Sequence, residues 1–120
     1  MLNNELMKEK LEEYASGDDI KSEVSNDALN YYDNNENIKG FFEDLLSHGC
    51  QSGMIPGLVY YTDTHKFFDK HYEEIEDLRY EYESDTGECL QANGDLKNWF
   101  AWFGYEETAR KLAEELEIEI

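Results

Sequence analysis

Apolar residues recur three or four positions apart in nearly every segment of this chain, which is the period of an α-helix. The spacing predicts a first helix over residues 3–15 and a second that begins after an N-cap at Asp18 or Asp19. A third helix is predicted over residues 36–47, and the polar run at 33–35 separates it from the second. The first half of the chain is therefore expected to be helical.

The longest helical pattern runs over residues 57–84. The cluster at 62–64 offers an N-cap, so we expect the pattern to divide into two helices there. Asp95 is expected to cap a further helix, which Gly104 bends or interrupts. A last helix is then predicted over about 105–117.

Two connecting segments are irregular. Residues 48–57 contain three glycines and the chain's one proline, Pro56. This composition predicts a tight connection with the proline in the first turn of the next helix, and a functional loop is the alternative. Turn signals bracket residues 88–92, which predict a loop or one very short strand. Together the pattern predicts an all-α protein, a single compact domain over residues 1–120 with five to seven helices.

Composition agrees with a folded chain. Disordered acidic chains are poor in apolar and aromatic residues, whereas 40% of this chain is hydrophobic and 14% is aromatic. No apolar run reaches the ~20 residues that span a membrane, and the N-terminus lacks the apolar region of a secretory signal. Cys50 and Cys89 fall in different segments, and free thiols suit a reducing compartment. We expect a cytoplasmic protein.

The net charge restricts the possible functions more than any other property of the sequence. The chain holds 29 acidic and 10 basic residues, a formal net charge of −19, whereas a soluble domain of this size typically carries a net charge of magnitude about 2–8. Such a charge opposes compactness and repels nucleic acids and anionic membranes. The remaining explanations are that the acids bind cations or that they face a strongly basic partner.

The densest acidic segment lies in the C-terminal part of the long helical pattern. Its acids, all predicted to bind the partner, are Glu73, Glu74, Glu76, Asp77, Glu81, Glu83 and Asp85. Five of them, Glu73, Glu74, Asp77, Glu81 and Asp85, are predicted to form a stripe beside the apolar face. This segment spans about 18 Å as a helix, and its seven acids and Arg79 give it a net charge of −6. One DNA strand carries about five charges over that length. The alternative to a partner-binding role is that these acids only keep an exposed helix face solvated.

Aromatic residues offer a second kind of surface. Tyr60, Tyr61 and Tyr80 are candidates for an interface, where tyrosine is enriched. Tyr80 falls away from the predicted core face and joins the acids as a predicted partner-binding residue.

The sequence contains no motif that indicates a metal-binding or catalytic site. The polar run at 33–37 resembles a calcium loop in composition but does not continue the ligand register. His65 and His71 lack zinc-ligand spacing, and we expect His71 to be a polar member of the core. Cys50 with His48 is the only local nucleophile–base candidate. We therefore predict no catalytic residues, no metal and no cofactor, and a protein that is not an enzyme.

The second half of the chain contains the segments GMIPGLVYYTDTHKFFDKHYEEIEDLRYEYE and LKNWFAWFGYEETARKLAEEL. Over roughly residues 48–116 the chain resembles a family of small, acidic, uncharacterised proteins carried by phages and mobile elements. No functional motif comes with that resemblance. It implies an accessory protein that opposes host defence in the cytoplasm of a bacterial host cell. In charge and size the chain is similar to anti-CRISPR and anti-restriction DNA mimics.

These observations lead to one expected function and two alternatives. We expect an anti-CRISPR protein, a monomer or homodimer, that binds a Cas effector and blocks its DNA-binding channel with an acidic, DNA-mimicking surface. The first alternative is a DNA mimic that inhibits a restriction–modification enzyme. The second is a non-enzymatic phage adaptor or structural protein that binds through its aromatic surface. The partner expected in the first two cases is a basic, nucleic-acid-binding protein.

Overall fold

A computed structural model describes residues 2–31, 37–90 and 94–119 of the chain. These residues form six α-helices and two 3₁₀ turns, at Cys50–Ser52 and Pro56–Leu58. The helices are α1 (Asn4–Tyr14), α2 (Ile20–Tyr31), α3 (Ile38–His48), α4 (Tyr61–Lys70), α5 (Tyr72–Thr86) and α6 (Leu96–Glu115). The prediction of an all-α fold with five to seven helices is confirmed.

Helix α6 is the centre of the fold. It packs against α2, α3, α4 and α5, which explains why aromatic residues surround it on nearly every side. Its buried residues are Asn98, Phe100, Ala101, Gly104, Tyr105, Ala109, Leu112 and Ala113. The radius of gyration is 14.0 Å, close to the ~14 Å expected for a folded chain of this length and far below the ~35 Å of an unfolded one.

The predicted caps are present. Asp19 Oδ1 accepts a hydrogen bond of 2.9 Å from the backbone N–H of Ser22 at the start of α2. Asp95 Oδ1 accepts one of the same length from Asn98 at the start of α6. Hydrogen bonds from Ser22 lower the pKa of Asp19, and the hydrogen bond from the Asn98 N–H lowers that of Asp95.

The long helical pattern divides at His71 rather than at 62–64, so the predicted break was misplaced. Thr64 is fully buried inside α4, and its hydroxyl donates to the Tyr61 carbonyl 3.1 Å away. The chain before Tyr61 is instead occupied by the Pro56–Leu58 turn, in which the proline takes the first helical position.

The predicted interruption of the last helix at Gly104 was also wrong, because α6 continues unbroken through it. A β-carbon at Gly104 would lie only 2.7 Å from Ile75 Cγ1 on α5. The glycine therefore permits close packing of two helices and does not end one. Residues 88–90 form no strand. Residues 91 and 92, the rest of the predicted strand, lie outside the described residues, and so does the polar run at 33–35.

Candidate binding surfaces

Four of the predicted acids form an exposed row along α5. Glu73, Asp77, Glu81 and Asp85 are all exposed, and their spacing of four residues advances each about 6 Å along the axis and about 40° around it. Glu81 is 2.7 Å from Lys111 Nζ on α6. The other three make no ion pair or hydrogen bond with the described part of the chain. We call these four residues the acidic row.

The other three predicted acids are half-buried or face intramolecular partners. Glu76 and Glu83 flank Arg79 at 3.5 and 3.8 Å, and Glu83 also accepts a hydrogen bond of 3.1 Å from the Leu90 N–H. Arg79 in turn lies over the Phe100 ring. These carboxylates therefore fix α5 against its surroundings.

Glu74 belongs to a polar junction between α2 and α5. Its carboxylate accepts from the Ile20 N–H at 3.2 Å and lies 3.0 Å from His71 Nδ1. The other ring nitrogen of His71 contacts Glu23. His71 is only 3% exposed, as expected of a polar core residue, and both nitrogens donate only in the protonated ring. This junction holds the start of α2, a role that no local sequence signal reveals.

The acidic row is sparser than the sequence count implied. Exposed carboxylates occur once per ~6 Å of α5, against one charge per ~3.4 Å of a single DNA strand. The match in density expected from the sequence counted Glu74, Glu76 and Glu83, which the fold directs to Arg79, His71 and backbone donors.

The candidate tyrosines lie on two different elements. Tyr80 is 76% exposed on α5, while Tyr60 and Tyr61 are 69% and 61% exposed at the start of α4. The Tyr61 ring stacks on His65 with an interplanar angle of 5°, and His65 Nε2 is 2.7 Å from Asp95 Oδ2. The aromatic surface at α4 is thus tied to the N-terminus of α6.

A groove along the outward face of α6 was not predicted. Its volume is about 630 Å³, and α3 and α5 provide its sides. The lining residues are Leu46, Tyr82, Leu90, Trp99, Phe100, Trp102, Phe103, Glu106, Glu107, Arg110, Ala113, Glu114 and Ile118. The helical spacing of its aromatic residues was visible in the sequence, but the same spacing is typical of a helix buried on all sides.

The environment of Cys50 does not favour a role as nucleophile. Cys50 is buried, and burial raises the pKa of its thiol far above neutrality, with Glu106 adding to the effect. A protonated, enclosed thiol is a poor nucleophile. Within the described residues, no three His, Cys, Asp or Glu side chains come together in an arrangement that holds a metal. No helix in that part of the chain is long and apolar enough to cross a membrane.

The fold and its surfaces define a small acidic helical protein with an exposed carboxylate row and an aromatic groove. Residues 4–118 match the model of a family described as a domain of unknown function, DUF7222. The chain belongs to this family, whose description carries no activity. Neither a curated protein nor a solved structure matches the chain.

Proposed function

We propose that this protein is a non-enzymatic inhibitor that occupies the nucleic-acid-binding surface of a basic protein. The observation that carries the proposal is the acidic row, in which four exposed carboxylates follow one helix. The partner class is a bacterial defence nuclease, with a CRISPR effector as first candidate and a restriction–modification enzyme as second. This choice rests on the resemblance to phage and mobile-element proteins and on a net charge of −19.

The free energy of exposed ion pairs limits how much the acidic row contributes to binding. An exposed ion pair is worth about 0.2–1 kcal/mol. Glu81 is already paired with Lys111, so the three unpaired acids of the row give about 0.6–3 kcal/mol. Micromolar binding requires about 8 kcal/mol. The row therefore supplies long-range attraction and orientation, which raise the association rate, while tight binding requires desolvated arginine–carboxylate contacts or a second, apolar contact.

The test begins by naming the target. Tagged protein is used to capture partners from bacterial lysate, and bound proteins are eluted by a salt gradient and identified by mass spectrometry. The purified target is then assayed for DNA binding and cleavage with and without the inhibitor. We expect inhibition to weaken strongly between 0.1 M and 1 M salt, because the Debye length falls from about 10 Å to about 3 Å.

Charge reversal then tests the row itself. Glu74 is unsuitable because it supports α2, so the variant is Glu73→Lys, Asp77→Lys and Asp85→Lys, three acids without partners in the described structure. The matched control reverses three exposed acids of α1, Glu9, Glu12 and Glu13. Both variants move the formal charge from −19 to about −13, since each replacement adds two units.

We expect the α5 variant to lose inhibition and the α1 control to retain most of it. Full inhibition by the folded α5 variant would exclude this face, and equal losses in both would show that only bulk charge matters. Binding that is insensitive to salt and is lost on Tyr60→Ala and Tyr61→Ala would instead support the aromatic adaptor, since those two side chains are widely exposed.

A further inference from the structure

The groove on α6 is long. Its lining extends from Trp99 to Glu114, which is about 22 Å along the helix axis. Its volume of about 630 Å³ lies in the range of ligand pockets, but its length is that of a helical segment of about 15 residues. The shape favours a stretch of polypeptide over a compact small molecule.

The aromatic part of the groove is held in place by internal contacts. Trp102 Nε1 donates a hydrogen bond of 3.0 Å to the Leu58 carbonyl, which fixes the indole against the Pro56–Leu58 turn. Phe103 packs edge-on against Tyr82, with ring centroids 5.6 Å apart. These side chains form preorganised walls, so a partner that inserts between them orders little of the groove on binding.

The charged part of the groove is net negative. Arg110 is already paired with Glu107 at 2.8 Å. Glu106 uses one oxygen to accept from the Cys50 N–H at 3.1 Å, and burial raises the pKa of its carboxyl. Glu114 is exposed and forms no ion pair with any described residue. Two carboxylates therefore remain for a cationic ligand.

We propose that this groove binds an amphipathic helical segment of the basic partner, with apolar side chains on the aromatic walls and arginines against Glu106 and Glu114. The inference rests on the proposed function, because it gives the same partner the apolar contact that the acidic row lacks. Arginine fits best, since guanidinium stacks on aromatic rings and pairs with carboxylates. A second copy is disfavoured as occupant, because each chain carries −19.

Peptide binding tests the groove without any defence enzyme. The probe is a tryptophan-free, 15-residue amphipathic helical peptide with leucine on one face and arginine beside it, and the matched peptide carries glutamate in place of arginine. Both tryptophans of the chain line the groove, so their intrinsic fluorescence reports occupancy. We expect saturable binding of the arginine peptide and at least tenfold weaker binding of the glutamate peptide.

Two variants separate the walls from the charge. Glu106→Gln with Glu114→Gln keeps an acceptor for the Cys50 N–H and should weaken the arginine peptide about threefold to twentyfold. The exposed pair of Glu114 changes affinity by up to about fivefold, and the pair of the half-buried Glu106 is less screened by solvent and is expected to contribute a similar factor. The control, Glu9→Gln with Glu13→Gln on α1, should change it less than twofold. Phe103→Ala should weaken both peptides, and circular dichroism checks that it folds.

Equal binding of the two peptides, or no fluorescence change with either, would overturn the inference. So would a concentration-dependent dimer, seen by sedimentation, that Phe103→Ala abolishes, because a second copy would then fill the groove. The Glu73, Asp77 and Asp85 reversal variant should bind the arginine peptide at wild-type strength or within a few fold. If the arginine peptide does not bind and that variant still loses inhibition, the groove is not the binding site for the partner, and the proposed function is retained.

Discussion

Replacing Gly104 with alanine tests how closely α5 is seated on α6. The new β-carbon would lie 2.7 Å from Ile75 Cγ1 and 3.4 Å from its Cδ1, so the nearest contact is about 0.7 Å too short for ordinary packing. Ile75 is fully buried and cannot turn toward solvent. Overpacking costs about 1–3 kcal/mol, while the gain in helix propensity is about 1 kcal/mol. We expect a net loss of about 0–2 kcal/mol in the free energy of unfolding.

Urea denaturation followed by circular dichroism measures this loss, and a double-mutant cycle assigns its cause. Ile75→Ala alone should cost about 2–5 kcal/mol, but in that background Gly104→Ala should be neutral or stabilise by up to about 1 kcal/mol. Gly57→Ala is the control, because a β-carbon added there would have nothing within 4 Å of it. An identical cost of Gly104→Ala in both backgrounds would refute the packing argument.

Two further predictions concern buried polar groups. Burial raises the pKa of Asp27, which accepts a hydrogen bond of 2.7 Å from the Tyr105 hydroxyl; the folded state therefore loses stability as pH rises from about 3.8 through the folded pKa. Asp27→Asn should remove that loss, so the urea midpoint of the variant minus that of the wild type should increase between pH 4 and pH 7. A difference that stays constant over this pH range would contradict the prediction. His71→Gln removes the ring that contacts both Glu23 and Glu74. It should cost about 1–3 kcal/mol in the same assay, discounted because both carboxylates are partly exposed. Adding Glu23→Gln should recover part of that cost, and no recovery would indicate that the histidine acts by packing alone.

The extent to which the sequence predicted the structure follows from the range of each interaction. Periodicity and the Asp95 cap are local, and they predicted the helices and the start of α6. Gly104 looks like a helix breaker in the sequence because its partner, Ile75, is supplied by another helix. Glu74 was assigned to the partner surface for the same reason, since the N–H that it accepts belongs to Ile20, 54 residues away.

The distribution of the bases strengthens the case that the acidic row has a role outside the fold. Of the 10 basic residues, seven already form ion pairs: Lys8, Lys21, Lys70, Arg79, Lys97, Arg110 and Lys111. The pairs of Arg79 and Lys111 flank the row and fix its helix, yet Glu73, Asp77 and Asp85 stand unpaired among the described residues. Charges placed only for solubility gain nothing from alignment on one helix, because the repulsion between them grows as they approach. Glu73 also gains from the helix dipole, since it lies in the first turn of α5. Asp77 and Asp85 gain free energy from alignment only when an array of opposite charge lies against them, which is why the α1 and α5 variants, equal in charge, should differ in inhibition.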